Sequence, residues 1–166
     1  MVALKLTDTK HFMAHLLLKD TFDQFMFIEG EIVTFATFTF DGYTKKDFFT
    51  LEEDSDVKLE EFARWKQLKE LCFSIIKGKR TPLSFKLVFR LSEENVAKLI
   101  ERNQLDFQPS NVQGLYLNLR FENGTLQCVT GSSLKTFSLD KSLEHAWDSM
   151  VLRFFDQKEI AYDVES

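Results

Sequence analysis

The sequence has little proline, glycine or cysteine and no long hydrophobic run, and each shortage excludes a class of protein. Two prolines and six glycines in 166 residues leave no flexible linker or low-complexity tract. Two cysteines, Cys72 and Cys128, are too few for a disulfide framework or a four-cysteine zinc site. No run of about 18 apolar residues is present, so we expect no membrane-spanning helix.

Positive charge is also in deficit, since the formal net charge is −5. This value argues against a nucleic-acid binder driven by overall charge, but it leaves a local basic face open. The opening residues 1–6 are too short for a signal peptide and include Lys5. With so few cysteines, the composition indicates a cytoplasmic protein with free thiols.

Phenylalanine is abundant, with 18 residues, and supplies the material for a packed core. Apolar residues alternate strictly over 83–91, which is typical of a strand with one buried face. Apolar stripes at helical spacing over 62–76 and 143–155 predict two helices, and shorter stripes predict helices after Thr7 and Ser92. We therefore expect an α+β fold in a single domain over residues 1–166. Further strands are predicted at 2–6, 25–40, 43–50, 115–121, 125–130 and 134–139. We also expect an exposed acidic connection at 51–61, a turn at 131–133 and a mobile tail from Gln157.

The two halves of the chain follow a similar order of elements, which predicts two pseudo-repeats, 1–80 and 81–158. The dipeptides Asp41-Gly42 and Asn123-Gly124, both typical of two-residue hairpin turns, lie 82 positions apart. The two tryptophans, Trp65 and Trp147, are also 82 apart, which predicts equivalent places in the two halves. The alternative is two unrelated α+β segments with a similar order of elements.

Each half has a strand, a helix, several strands and a second helix. This repeated order resembles the fold of the TATA-box-binding protein. In that fold two such halves form one largely antiparallel sheet with helices on one face. The DNA-sliding-clamp module is an alternative duplicated fold. Either resemblance concerns topology and implies no function.

Two stretches carry a closer resemblance, Ile-Lys-Gly-Lys-Arg-Thr-Pro-Leu at 76–83 and Asp-Lys-Ser-Leu-Glu-His-Ala-Trp at 140–147. They resemble an uncharacterised family of Gram-positive, clostridial bacterial proteins over nearly the whole chain. The resemblance implies a bacterial cytoplasmic protein and assigns no activity and no residue roles.

Alternation along the strands also predicts a polar sheet face opposite the core. Most acids fall in 51–61 and on the helices, so an acidic protein is expected to carry one locally basic sheet face. The candidate binding residues on this face are Lys5, Lys86, Arg90, Tyr116, Asn118 and Arg120.

Histidines are the other residues with potential chemistry. His11 and His15, four residues apart on a predicted helix, can place two imidazoles on one metal. His145 adjoins Glu144 and could act as a general base. However, neither a third metal ligand nor a nucleophile motif can be named, and surface histidines explain the pattern equally well.

Three functions of different classes remain. We favour a non-enzymatic module that presents its open sheet face to a protein, peptide or nucleic-acid partner, without a cofactor or a membrane. A metal-dependent or acid–base enzyme that uses His11 and His15, or His145, is the second. A structural protein that forms homo-oligomers through exposed phenylalanines of 25–40 is the third.

Overall fold

Seven strands and four α-helices make up the computed structural model, which describes residues 1–49 and 59–165. The α+β prediction is therefore confirmed. Short 3₁₀ turns lie at Lys46–Phe48 and Pro109–Asn111. The elements are β1 (Ala3–Leu6), α1 (Thr9–Leu17), β2 (Met26–Val33), β3 (Thr37–Asp41), α2 (Trp65–Ile76), β4 (Ser84–Arg90), α3 (Glu93–Arg102), β5 (Val112–Glu122), β6 (Thr125–Leu134), α4 (Ser142–Gln157) and β7 (Tyr162–Glu165).

The strands form one antiparallel sheet in the order β3-β2-β4-β5-β6-β1-β7. Alternate strand residues are buried, and with the buried residues of all four helices they form one hydrophobic core. In the second half β4, β5 and β6 are neighbours, whereas in the first half three strands separate β1 from β2. This pairing does not confirm a TATA-box-binding-protein-like arrangement, and the two pseudo-repeats stay a prediction.

Aromatic rings connect the sheet to the helices. Phe89 of β4 is fully buried, with ring centroids 5.0 Å from Trp65 of α2 and 5.9 Å from Phe27 of β2. Phe22, in the connection between α1 and β2, stacks at 6.1 Å on Phe89 and lies 5.5 Å from Phe12 of α1. These contacts anchor three elements to the interior strand β4. Two rings of α4, Phe154 and Phe155, complete the cluster.

Both tryptophans are buried, and both indole N–H groups donate to backbone carbonyls. Trp65 donates to Leu16 at 2.7 Å and Trp147 to Tyr116 at 3.1 Å. Their places in the helices differ, because Trp65 is the first residue of α2 whereas Trp147 lies inside α4. The predicted helix start at Phe62 is wrong, since Phe62 forms an isolated bridge with Tyr43 before the helix.

The two dipeptides predicted as hairpin turns behave differently. Asn123-Gly124 connects β5 to β6 with φ of +54° and +74°, which confirms the prediction. Asp41-Gly42 is not a turn, because β2 and β3 are joined through residues 34–36. Gly42 is buried, and a Cβ there would overlap the Phe27 carbonyl oxygen. A glycine is required here because the backbone of Phe27 packs closely against it. An Asp-Gly dipeptide does not by itself show whether its glycine serves such packing or a turn.

Further strand predictions fail where pairing is decided at long range. Residues 131–133 form no turn, since β6 continues to Leu134, and 134–139 is not a strand. The polar tail is ordered, because β7 pairs with β1 and Ile160 is buried. The predicted strand at 43–50 is replaced by a bridge at Tyr43 and a 3₁₀ turn at 46–48. Its last residue, 50, and residues 51–58 of the predicted acidic connection lie outside the described residues.

Helix starts are predicted to within a few residues. Asp8, rather than Thr7, is the N-cap of α1, and its carboxylate accepts a hydrogen bond from the His11 amide at 3.1 Å. Ser92 caps α3 as predicted, through the Asn95 amide. Side-chain oxygens at these positions satisfy backbone N–H groups that have no partner inside the helix.

Replacing Phe89 with alanine is expected to lower the free energy of unfolding by about 3–5 kcal/mol, because a large ring is lost from a packed core. Chemical denaturation followed by tryptophan fluorescence measures the change. The matched control is Phe35→Ala, at a phenylalanine that is 94% exposed, with an expected effect within about 0.5 kcal/mol. Equal effects of the two substitutions would contradict the central role of Phe89.

Candidate binding face and cleft

Three of the predicted face residues lie side by side on the open face of the sheet. Lys86 of β4 is directly opposite Arg120 of β5, and Arg120 is opposite Gln127 of β6. Gln127 in turn is opposite Lys5 of β1. All three cationic side chains are exposed. Like charges directly across a ladder repel, and the ion pair of Arg120 with Glu122 offsets part of the repulsion between Lys86 and Arg120.

Acidic residues frame this row of cations. Glu31 lies opposite Lys86 at one side, and Asp163 lies opposite Lys5 at the other. Arg120 is also bound by Glu122 on its own strand, at 2.6 Å. The row therefore carries three cations with an acid at each end, and the carboxylates of Glu122 and Glu165 reach into it.

Asn118 lies on the adjacent row of the same face, between Val88 and Val129. Its side-chain amide donates to the Val129 carbonyl at 3.2 Å. Asn118 therefore has one structural hydrogen bond and is a weaker candidate for ligand contact than its charged neighbours.

Arg90 and Tyr116, the remaining two candidates, are paired across β4 and β5 and line a cleft of about 580 Å³ at the end of the sheet. A cleft of this size is in the usual range for ligand sites. Its walls come from the segment before α2, the start of α3, the Pro109–Asn111 turn and the ends of β5 and β6. The polar lining residues are Glu61, Arg90, Glu93, Ser110, Gln113, Tyr116 and Lys135.

The Arg90 side chain is held in the cleft wall, with an exposed fraction of 12%. Its guanidinium carbon lies 5.6 Å from the ring centroid of Phe62, a cation–π contact. The neighbouring carboxylates of Glu61 and Glu93 are 4.0 and 3.8 Å away, beyond hydrogen-bond distance. Within residues 1–49 and 59–165 the guanidinium donates no hydrogen bond. Arg90 is therefore largely enclosed, and in the described part of the chain its donors have no hydrogen-bond acceptor.

Tyr116 is positioned by its backbone and by a glycine. Its carbonyl accepts the Trp147 indole N–H, which ties this part of β5 to α4. A Cβ at Gly114 would lie 2.5 Å from the Tyr116 hydroxyl, so glycine is needed for the ring to lie along the strand. No hydrogen bond of this hydroxyl occurs in the described part of the chain, and it faces the cleft beside Arg90.

Other residues of the cleft were not predicted from the sequence. The sequence places Phe62 in a predicted helix and Lys135 in a predicted strand, and neither pattern indicates that the residue lines the cleft. Glu61 and Glu93 are separated from each other by 32 positions. No local pattern brings such residues together, because the cleft is assembled by tertiary packing.

The first two histidines come together but without further metal ligands. The Nε2 atoms of His11 and His15 are 3.2 Å apart, and His15 Nδ1 is 2.6 Å from the Thr21 hydroxyl. Among the described residues, no group of three or more His, Cys, Asp or Glu side chains could hold a metal ion. His145 lies far from this pair. It is exposed near the start of α4, whereas His15 faces Lys158, which follows the other end of the same helix. The helix between His145 and Lys158 is about 20 Å long.

The pKa of His15 is lowered from its ordinary value of 6.5, first by burial and then by the positive charges of Lys19, His11 and Lys158. The unfolded chain therefore binds more protons than the folded chain as the pH falls below this value. Stability that is present above about pH 6.5 is then lost as the pH falls through the lower pKa of the folded protein.

The substitution His15→Asn is expected to reduce the loss of unfolding free energy between about pH 8 and about pH 5.5, because the buried titrating group is removed. Urea denaturation across this range measures the slope. His145→Asn, at an exposed histidine, is the control and should leave the slope unchanged. Identical slopes for all three proteins would show that His15 titrates normally.

Both cysteines are free and buried, and burial raises the pKa of Cys72 and of Cys128 to about 12. Since the thiolate is the reactive form, neither cysteine is suited to act as a nucleophile. Their small apolar side chains belong to the core.

A disulfide-based thiol reagent at about pH 8 is expected to leave both cysteines of the folded protein unmodified, because almost no thiolate is present or accessible. Addition of denaturant should release two equivalents of reactive thiol. Rapid modification of either cysteine in the folded protein would contradict this expectation.

Fewer phenylalanines of residues 25–40 are exposed than the homo-oligomer hypothesis requires. Phe25 and Phe27 pack in or against the core, whereas Phe35 projects from the turn between β2 and β3. Its ring contacts Phe38 at 5.9 Å. This is a small apolar tip beside the edge strand β3.

Comparison with known proteins identifies a family but no activity. The model of a family of unknown function, DUF5721, matches residues 15–163. The chain belongs to this family. No curated protein and no solved structure matches the chain. Among the described residues of this DUF5721 protein, no helix is both long and apolar enough to cross a membrane.

Proposed function

We propose that this DUF5721 protein is a non-enzymatic binding module that holds an acidic, extended segment of a partner protein on its open sheet face. A carboxylate of the partner is placed in the cleft against Arg90 and Tyr116. The observation that carries the proposal is the Arg90 guanidinium, fixed against Phe62 and without a hydrogen bond in the described residues.

The energetics of Arg90 favour an incoming carboxylate over its present neighbours. The side chains of Glu61 and Glu93 are 54% and 79% exposed, so their attraction to Arg90 is weakened by water. A ligand carboxylate could form two parallel hydrogen bonds of about 2.8 Å with the guanidinium. The Tyr116 hydroxyl is available as a further donor.

The charge distribution supports a protein segment rather than nucleic acid. The central cations Lys5, Lys86 and Arg120 attract acidic side chains, but Glu31 and Asp163 at the margins repel a continuous row of phosphates. No aromatic ring of the described chain lies in this row for stacking with bases. The preferred occupant is short and has its negative charge at the centre.

Localisation and origin belong to the same proposal. Two buried, free thiols suit a reducing compartment, which supports a cytoplasmic protein. The resemblance of residues 76–83 and 140–147 to clostridial proteins supports a bacterial source.

Binding of fluorescein-labelled hexaglutamate, measured by anisotropy at low salt, tests the proposal. We expect Arg90→Gln to weaken binding about 10- to 100-fold, the equivalent of losing a charge-assisted hydrogen bond. Tyr116→Phe should weaken it less, because only a neutral donor is removed. Shifts of the Arg90 Nε–H and Gly114–Tyr116 amide signals in a ¹⁵N spectrum would locate the peptide.

The matched control is Arg80→Gln, at an exposed arginine outside the cleft, which removes the same charge and should leave the affinity unchanged. A labelled oligothymidylate of similar charge should bind more weakly than the peptide. Equal affinity of the Arg90→Gln and native proteins, or stronger binding of the oligonucleotide, would overturn the proposal.

A further inference from the structure

A groove runs between α3 and α4 on the helical side of the sheet. At one end it contains an apolar cavity of about 160 Å³. Its walls come from α4, the residues around the start of α3 and the connection between α1 and β2. The lining residues are Thr21, Gln24, Phe25, Leu91, Asn95, Trp147, Met150, Val151 and Phe154.

The groove continues into a second, more polar cavity of about 320 Å³, which shares Asn95, Met150 and Phe154 with the first. Its lining includes three exposed cationic residues, Lys98 and Arg102 of α3 and Arg153 of α4. We call these three residues the cationic rim.

The cationic rim is unusual for a chain with a net charge of −5. Among the residues that the structure describes, no aspartate or glutamate lines either cavity. Within residues 1–49 and 59–165, none of the three rim residues forms an ion pair. The apolar cavity adjoins a second cavity that carries three cations, and no described acid lines either one. This pair is complementary to a ligand that has a bulky apolar group next to negative charges.

The size of the apolar cavity limits that group. A cavity of about 150 Å³ lined by Leu, Ile and Phe side chains holds one benzene-sized molecule, so 160 Å³ suits a single aromatic or branched side chain. Partners that present such a side chain and flanking charges on one face of a helix bind in grooves of this kind.

We propose that the α3–α4 groove docks an acidic amphipathic helix of a partner protein. One large apolar side chain of that helix enters the cavity beside Met150 and Phe154, and its acidic residues pair with Lys98, Arg102 and Arg153. This groove shares no lining residue with the Arg90–Tyr116 cleft and is independent of the function proposed there.

Selection from a displayed library of random peptides on the immobilised full chain tests the inference. Enriched peptides are expected to combine a Phe, Leu or Trp with two or more acidic residues at helical spacing. The best peptide, synthesised with a fluorescent label, should lose at least 10-fold in affinity with Arg153→Glu. It should also lose at least 10-fold with Met150→Arg, which adds positive charge but blocks the cavity.

Arg80→Glu is the matched control, since it reverses the same charge outside the groove and should leave the affinity unchanged. Arg90→Gln should also have no effect, which separates this surface from the cleft. Thermal melts verify that each variant is folded. The inference is overturned if the library yields no enrichment, or if the selected peptides lack acids or bind the Met150→Arg variant normally.

Two further outcomes would assign the groove to another occupant and overturn the proposal. The first is a dimer in light scattering that Arg153→Glu abolishes, which would indicate a second copy of the chain. The second is displacement of the peptide by micromolar laurate, which would indicate a fatty-acid site.

Discussion

The contact between Phe89 and Phe22 is the interaction on which the rest of the structure depends. Phe89 is on β4, near the middle of the sheet, and Phe22 lies in the connection that follows α1. Through these two rings the core reaches Trp65 of α2 and the phenylalanines of α4. Aromatic burial of this extent supplies much of the stabilising free energy of a small domain. It also determines which face of each strand is left to solvent.

The open face follows directly from that core. Because side chains alternate along β4, burying Leu87 and Phe89 requires Lys86 and Arg90 to point to the other side. The antiparallel register then places Lys86 opposite Arg120 and Arg90 opposite Tyr116. The Lys86–Arg120 pairing is thus a consequence of sheet register.

Both proposed binding surfaces use positive charge, but in different settings. Arg90 is a nearly buried cation on an aromatic ring, and its donors face a polar cleft. In the α3–α4 groove the cations are exposed and the apolar cavity provides the specific contact. In the first case desolvation strengthens a charge-assisted hydrogen bond, whereas in the second hydrophobic burial supplies affinity and charge supplies orientation.

Local patterns in the sequence determined the elements with strong periodicity, the Asn123-Gly124 turn, the cap at Ser92 and the identities of the candidate face residues. Only the tertiary structure decided the role of Gly42, the pairing of β7 with β1 and the assembly of the cleft from Phe62 and Lys135. The reason is physical: alternation and helical stripes report which side of an element is buried, and backbone and side-chain sterics act within a few residues. Which distant segments pack together depends on competition among many contacts over the whole chain, and no short stretch of sequence encodes its result.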